Sequence, residues 1–593
     1  MAKNKRLHWT LLICLFLVGP ASTQLPILQY QTATQNKLSF IPGALSSESE
    51  IGNPARGYYQ FGSSFFLDSL PKFDIYERFS WRQLETSKGV YDFAPIDQRL
   101  AALQAGQRFS FRVMPLNTCC TSYKNGADVP DYVYQERRGW FYHFHSLNGS
   151  DSVFVPDWND SVLIAHMVEF LKALAAKFDG DPRIGWIENG LYGNWGEWHT
   201  YPLQYPNSAG VYQVPPPNST YLYAPIQKDP LDSMKQKFRD GSIDSRRKLL
   251  RAHTEVFKKT RLIQSTADLR ILFDALQVGP PIPIGIRRDS WGDPFFTDIT
   301  KWNAYQPTAE EWILFNNRWK IAPFYSENWG ERFIDGKVMA DQLLYFHTSA
   351  IAFGNFGNWP MLQDSVKNSY LLCGRRVGYR YQISNLDAEM NDSVFVGTTQ
   401  WKNIGMAPSY DKWVALAYLV NPSTNEMYSS VDSLSIRLDT LFDSRSVAVT
   451  APFRLSLNSE WRTQKDLQFR IRVMDRNKYL ATLNLDLVHK NDDGSYGLCS
   501  VQNNSISSVV DEHPKQAIEF SQKMVGNKLI LQASNFSLNG VVVRDLFGKK
   551  VLLQSLTRTE NQWTMSTKEL ARGVYFVDLP SMHGVLRRKF LIN

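Results

Sequence analysis

The chain has 593 residues, too many for one hydrophobic core and enough for roughly three folding units. Its 43% hydrophobic and 21% charged residues exclude wholesale disorder. The net charge of +8 is spread without the Lys/Arg stripe that nucleic-acid binding needs, and no segment reaches the ~20 apolar residues of a membrane span.

Residues 1–23 read as a secretory signal: Lys3, Lys5 and Arg6, then an apolar run from Leu11 to Val18, then Gly19-Pro20-Ala21-Ser22-Thr23. Its removal would take three cations and no acids, lowering the charge from +8 to +5. Cys14 goes with it. Cys119, Cys120, Cys373 and Cys499 are too few for a disulfide framework on so long a chain, and none has zinc-site spacing.

From 45 to 372, short apolar strands alternate with amphipathic helices. Strands are predicted at 74–79, 108–113, 184–187, 284–286 and 321–325, and helices at 93–103, 161–178 and 246–259. This alternation predicts an α/β fold, a (β/α)₈ TIM barrel. No glycine-rich dinucleotide or phosphate-binding fingerprint follows an early strand. From 375 to 502 the pattern turns to period two, as at 433–438 and 467–473, and predicts an antiparallel β-sandwich. A polar linker is expected over 503–519, and a second, small β-sandwich over 520–593.

The densest chemistry lies in Gly185-Trp186-Ile187-Glu188-Asn189-Gly190-Leu191-Tyr192-Gly193-Asn194-Trp195-Gly196-Glu197-Trp198-His199-Thr200. A strand passes into a glycine-rich bend that presents Glu197 between Trp195 and Trp198. Indole faces suit the C–H faces of sugar rings, and a carboxyl among apolar rings is expected to hold its proton, as a general acid must. The plain alternative is a buried structural Glu paired with an Arg.

Trp81-Arg82-Gln83-Leu84-Glu85, Gly89-Val90-Tyr91-Asp92-Phe93 and Ile96-Asp97 resemble a run found in retaining (β/α)₈ glycosidases, including β-galactosidase-like families. With Asn53-Pro54-Ala55-Arg56-Gly57, Gly378-Tyr379-Arg380-Tyr381 and Asn403-Ile404-Gly405-Met406-Ala407-Pro408, most of residues 50–500 resembles a family of secreted proteins of unknown function. In that family a glycosidase-like barrel precedes a β-domain. Retaining barrels of this kind end their fourth strand in Asn-Glu, the Glu being the acid/base. Here the order is reversed, Glu188-Asn189, and a second glutamate follows at Glu197. The Gly196-Glu197-Trp198-His199-Thr200-Tyr201-Pro202 run is also similar to the acid motif of β-amylases, which favours Glu197 over Glu188.

The second carboxylate is expected at another strand end. Glu327, in Ser326-Glu327-Asn328-Trp329, is the first choice and Asp289 the second, whereas Glu331 lies further past its strand. Arg78, Arg112, Asn117 and His199 are candidates for sugar hydroxyls, with Trp195, Trp198, Trp291, Trp329 and Trp359 for stacking. Arg78 or Arg112 could instead neutralise a buried carboxylate. No metal or other cofactor is expected.

At the C-terminus, 541–551, 570–577 and 587–592 resemble the sorting domain of type IX secretion, without that family's usual Pro-Asn-Pro opening. The resemblance implies the type IX machinery as a partner, passage through the periplasm, and release or attachment at the outer surface. The function expected is a secreted glycoside hydrolase acting on an extracellular polysaccharide or glycan. The alternatives are a non-catalytic glycan-binding protein on a degenerate barrel, and an adhesion protein in which the sandwich does the binding.

Overall fold

The computed structural model describes residues 36–508 and most of 520–592. Within the first span it omits 145–151, 201–220, 223–240, 329–334 and gaps of one to three residues. The signal segment and Cys119, Cys120, Trp329 and Glu331 lie outside the described residues. The chain forms two compact units, 1–508 and 509–593.

Eight strands close a barrel in chain order: β1 (Gly57–Phe61), β2 (Asp74–Ser80), β3 (Arg108–Met114), β4 (Ile184–Glu188), β5 (Leu262–Ser265), β6 (Gly285–Trp291), β7 (Phe324–Asn328) and β8 (Ala350–Phe353). Each pairs parallel with the next, and β8 pairs with β1. The expected (β/α)₈ fold is therefore present. Between β3 and β4 the predicted helix runs Ser161–Phe178 and starts on an N-cap, Asp160, whose carboxylate accepts from the amides of Val162 and Leu163. The strand predicted at 321–325 begins three residues later, at Phe324, and continues to Asn328; Pro323, lacking an N–H, stands just before it. The strand at 284–286 runs on to Trp291, well into the site.

Inside the barrel, Tyr59, Tyr76, Trp186 and Tyr325 form an aromatic plug, with Trp186 and Tyr325 stacked at 4.3 Å. Strand side chains alternate faces, so the residues two further along also point inward. Those are Arg78 after Tyr76, Glu188 after Trp186, and Glu327 after Tyr325. An apolar layer thus carries a charged layer directly above it, at the C-terminal mouth.

The Trp81…Glu85…Gly89 run has a structural job. Glu85 accepts from Trp81 Nε1 (2.8 Å), the Gly89 amide (3.0 Å) and Tyr132 OH (3.1 Å), and so pins the hairpin after β2.

The second half of this unit is an antiparallel sandwich of a four-stranded and a five-stranded sheet. Two details differ from expectation. Residues 433–438 contribute only a short strand, Asp432–Ser433, because the Ile436 amide turns back onto the Leu434 carbonyl (2.8 Å) and ends the ladder. Ser505–Ser508, expected in the linker, forms the last strand of the five-stranded sheet; its alternation buries Ile506. The sequence also gave no hint that Lys37–Phe40 pairs with Tyr381–Asn391 as an edge strand of the four-stranded sheet.

The sandwich packs on the barrel, at the end opposite the charged layer. Arg108, opening β3, pairs with Asp411 at 2.9 Å, and Tyr379 OH donates to the Pro54 carbonyl at 2.7 Å, just before β1. Asn53 and Asn484 exchange two hydrogen bonds of 2.8 Å, and Tyr410 OH donates to the Trp319 carbonyl before β7. The C-terminal unit has an antiparallel sheet of four strands and another of three, beginning at Phe520.

Candidate active site

The bend after β4 is built by close backbone approach. A Cβ at Gly190 would sit 2.3 Å from the Val113 carbonyl oxygen, and one at Gly193 (φ +78°) 2.4 Å from that of His199. Asn194 donates its amide to His199 O (2.7 Å) and holds Thr118 through both ends of its side chain. Leu191, Trp195 and Trp198 all take positive φ, at 61°, 52° and 66°. Large residues rarely adopt that conformation, and the strain is concentrated around Glu197. Ser290, next to Asp289, repeats the feature at φ 68°.

Glu197, Asp289 and Glu327 converge here. Each places a carboxylate oxygen within 4.8 Å of the others. Three arginines thread between them. Arg78 Nη2 reaches Glu197 at 2.8 Å and Glu327 at 3.0 Å. Arg112, fully buried on β3, binds Glu188 (2.6 Å) through Nη1 and Glu197 (2.7 Å) through Nη2. Arg287, 2% exposed, pairs with Glu188 (2.8 Å), Asp289 (2.8 Å) and Glu327. Tyr76 OH donates to Glu188 at 2.7 Å, and His199 Nε2 lies 3.1 Å from Glu197. These three acids could together hold a cation by position. The three guanidinium groups already neutralise the charge they would offer it.

This arrangement corrects the expected environment of Glu197. Burial pushes its pKa up, but Arg78 and Arg112, with the His199 contact, outweigh burial and hold it well below the usual carboxylate range. Glu188 is lowered in the same way: burial opposes, and Arg112, Arg287 and the Tyr76 hydroxyl prevail. Asp289 goes the other way. Burial raises it, Arg287 counteracts, and the charge of Glu197 pushes it up further. Of the facing pair Glu197 and Asp289, Asp289 is therefore the one whose surroundings favour the protonated form.

The tryptophans also need correction. Trp198 is packed in the core with its Nε1 on the Asn189 carbonyl (2.9 Å). Trp291 is fully buried with Nε1 on Met339 O (3.0 Å), and Trp359 packs on Phe353 and Phe356. None of these three offers a face to a ligand. Trp195 is half-buried beside the half-buried His199 (ring centroids 6.0 Å apart), its Nε1 donating to Asn117 at 3.1 Å. Arg287 and Tyr76 escaped the sequence reading. Period two from Gly285 would have put Arg287 and Asp289 inward and Arg288 outward.

Residues 525–593 match the secretion system C-terminal sorting domain. This segment is a type IX secretion signal. The chain is thereby directed to the type IX machinery, for release or display at the cell surface. Among the described residues no helix is long and apolar enough to cross a membrane. No curated protein matches the chain. Similar solved structures include an engineered protein (9% identity, TM-score 0.25, 72% of this chain and 93% of that one). Others are HBP35 of Porphyromonas gingivalis (12%, 0.13, 41% and 72%) and the BSP domain of a biofilm-associated protein (11%, 0.12). The match to the BSP domain covers 35% of this chain and 50% of that one. All three are too remote to carry an argument about function.

Proposed function

We propose that the barrel is a glycoside hydrolase acting on an extracellular polysaccharide or glycan. The observation that carries this reading is the convergence of Glu197, Asp289 and Glu327 within 4.8 Å at the C-terminal mouth. Glu327, paired with Arg78 and Arg287, is the attacking carboxylate. Asp289 and Glu197 act as a pair carrying one proton, which is delivered to the departing glycosidic oxygen. Retaining enzymes hold their carboxyl groups ~5–5.5 Å apart and inverting ones ~6.5–9.5 Å apart, so this close spacing favours retention through a covalent glycosyl intermediate. Trp195, Asn117 and His199 form the rim on which a sugar ring would rest.

A glycan-binding protein without turnover is the second reading. It is favoured by the ion-paired state of Glu197, which leaves that carboxylate poorly suited to donate a proton unaided.

Reducing-end release from plant, algal, microbial and host glycans separates the two. The parent is expected to cleave at least one glycan, while folded Glu327→Gln and Asp289→Asn lose about 1,000-fold or more in kcat. Glycan binding without turnover in the parent would establish the second reading.

A further inference from the structure

Glu188 occupies the end of the fourth strand yet lies beneath the reacting carboxylates, 1% exposed. Its two oxygens are used separately. Oε1 takes Arg112 Nη1 at 2.6 Å, and Arg112 Nη2 holds Glu197 at 2.7 Å. Oε2 takes Arg287 Nη1 at 2.8 Å, and the remaining nitrogens of Arg287 hold Glu327 and, at 2.8 Å, Asp289. Tyr76 completes the joint, donating to Oε2 at 2.7 Å while accepting from Arg287 Nη1 at 3.2 Å.

We infer that Glu188 is a positioning residue: one carboxylate clamps two arginines, and each arginine fixes one side of the reacting cluster. The separation of Glu197 from Glu327 is set by this bracket from below and by Arg78, whose Nη2 reaches both carboxylates, from the side. Arg112 is a planar fork hydrogen-bonded through both Nη1 and Nη2. Anchoring the rigid Arg287 plane by its Nη1 fixes where its other nitrogens meet Glu327 and Asp289 as ion pairs. The backbone alone does not impose the spacing, because Glu197 comes from a bend nine residues beyond β4 and Glu327 from β7. The reversed Glu188-Asn189 order follows: at this strand end the glutamate is turned down onto arginines, and the bend supplies the upper carboxylate.

The inference rests on the glycosidase reading for its kinetic consequence, and not for its geometry. Crystal structures of the parent and of Glu188→Gln test the geometry. The amide puts an NH2 donor where one of the two arginines now finds an oxygen, so that arginine should rotate away and the Glu197–Glu327 separation should open. On whichever glycan the parent cleaves, kcat is expected to fall about 100-fold with KM little changed, the consequence of moving a reacting group by ~1 Å. Tyr76→Phe removes one hydrogen bond to Glu188 and leaves both ion pairs, which guards against a Glu188 variant that does not fold. It should lower kcat about fivefold, again at constant KM. A parent without turnover defeats the proposed function, while the structures still decide the bracket. An unchanged carboxylate separation in Glu188→Gln, or an unchanged kcat despite an opened one, overturns the inference.

Discussion

Arg112 shows at the residue scale how much electrostatic stress the site stores. It has no exposed surface and is the counter-charge to two buried carboxylates, Glu188 and Glu197. Replacing it by Met keeps the volume and takes one buried counter-charge from each acid, leaving Glu188 to Arg287 and Glu197 to Arg78, a change that costs about 3 kcal/mol. The pH dependence follows from the sign of the shifts. Glu188 and Glu197 are lowered in the native state, so their contribution is present above their unfolded pKa near ~4.3 and is lost as pH falls through the native value. Asp289 is raised, so keeping its proton favours the native state until pH climbs past its ordinary range. In Arg112→Met the first two acids lose one of the partners that lowered them, and mild acid should then narrow the stability gap to the parent. Urea unfolding at pH 7 and pH 5 checks this; a gap that widens at pH 5 would contradict the assignment. Much of this chemistry was readable from residue type alone: Glu197, Asp289 and Glu327 were all legible as candidates. The sign of the Glu197 shift was not, because the arginines that set it come from β2 and β3, about 80–120 residues earlier in the chain.

Between strand and loop, the scale of the element, the bend after β4 is the strained part. Gly193 combines φ +78° with a Cβ position 2.4 Å from the His199 carbonyl oxygen. Gly193→Ala therefore meets both a conformational penalty and a backbone clash, and should destabilise by more than about 1 kcal/mol. It should also lower activity by moving His199 and Glu197 together. Thermal unfolding with kinetics on the same sample tests this; wild-type activity in a destabilised protein would separate the bend from the chemistry. Five of the eight barrel strands were legible as short apolar runs between helices, whereas Gly57–Phe61, Leu262–Ser265 and Ala350–Phe353 were not read, two of them being only four residues long. The tryptophans were misread for another reason. Sequence places Trp291 and Trp359 near strand ends but does not say which layer they enter, and both turn into the packing between strands and helices. The edge strand Lys37–Phe40 was hidden because its partner lies some 350 residues away.

At the scale of the whole molecule, the barrel with the proposed active site and the sorting domain lie in separate folding units. Deleting 525–593 should leave a folded protein that the cell no longer secretes or displays. Fractionation with a melting curve on the retained protein measures both, and surface display of the truncated chain would contradict the sorting assignment. The sandwich meets the barrel at its N-terminal end through Arg108–Asp411 and Asn53–Asn484, so the C-terminal mouth faces away from it. On the proposed function, binding of substrate is accordingly the work of the barrel. The most direct test of that claim is to incubate the protein with activated 2-fluoro glycosides of the sugars it releases and map the adduct by peptide mass spectrometry. A covalent sugar on the peptide containing Glu327, missing in Glu327→Gln, is the expected result. Hydrolysis with no adduct at Glu327, or no hydrolysis by the folded parent, would contradict the account.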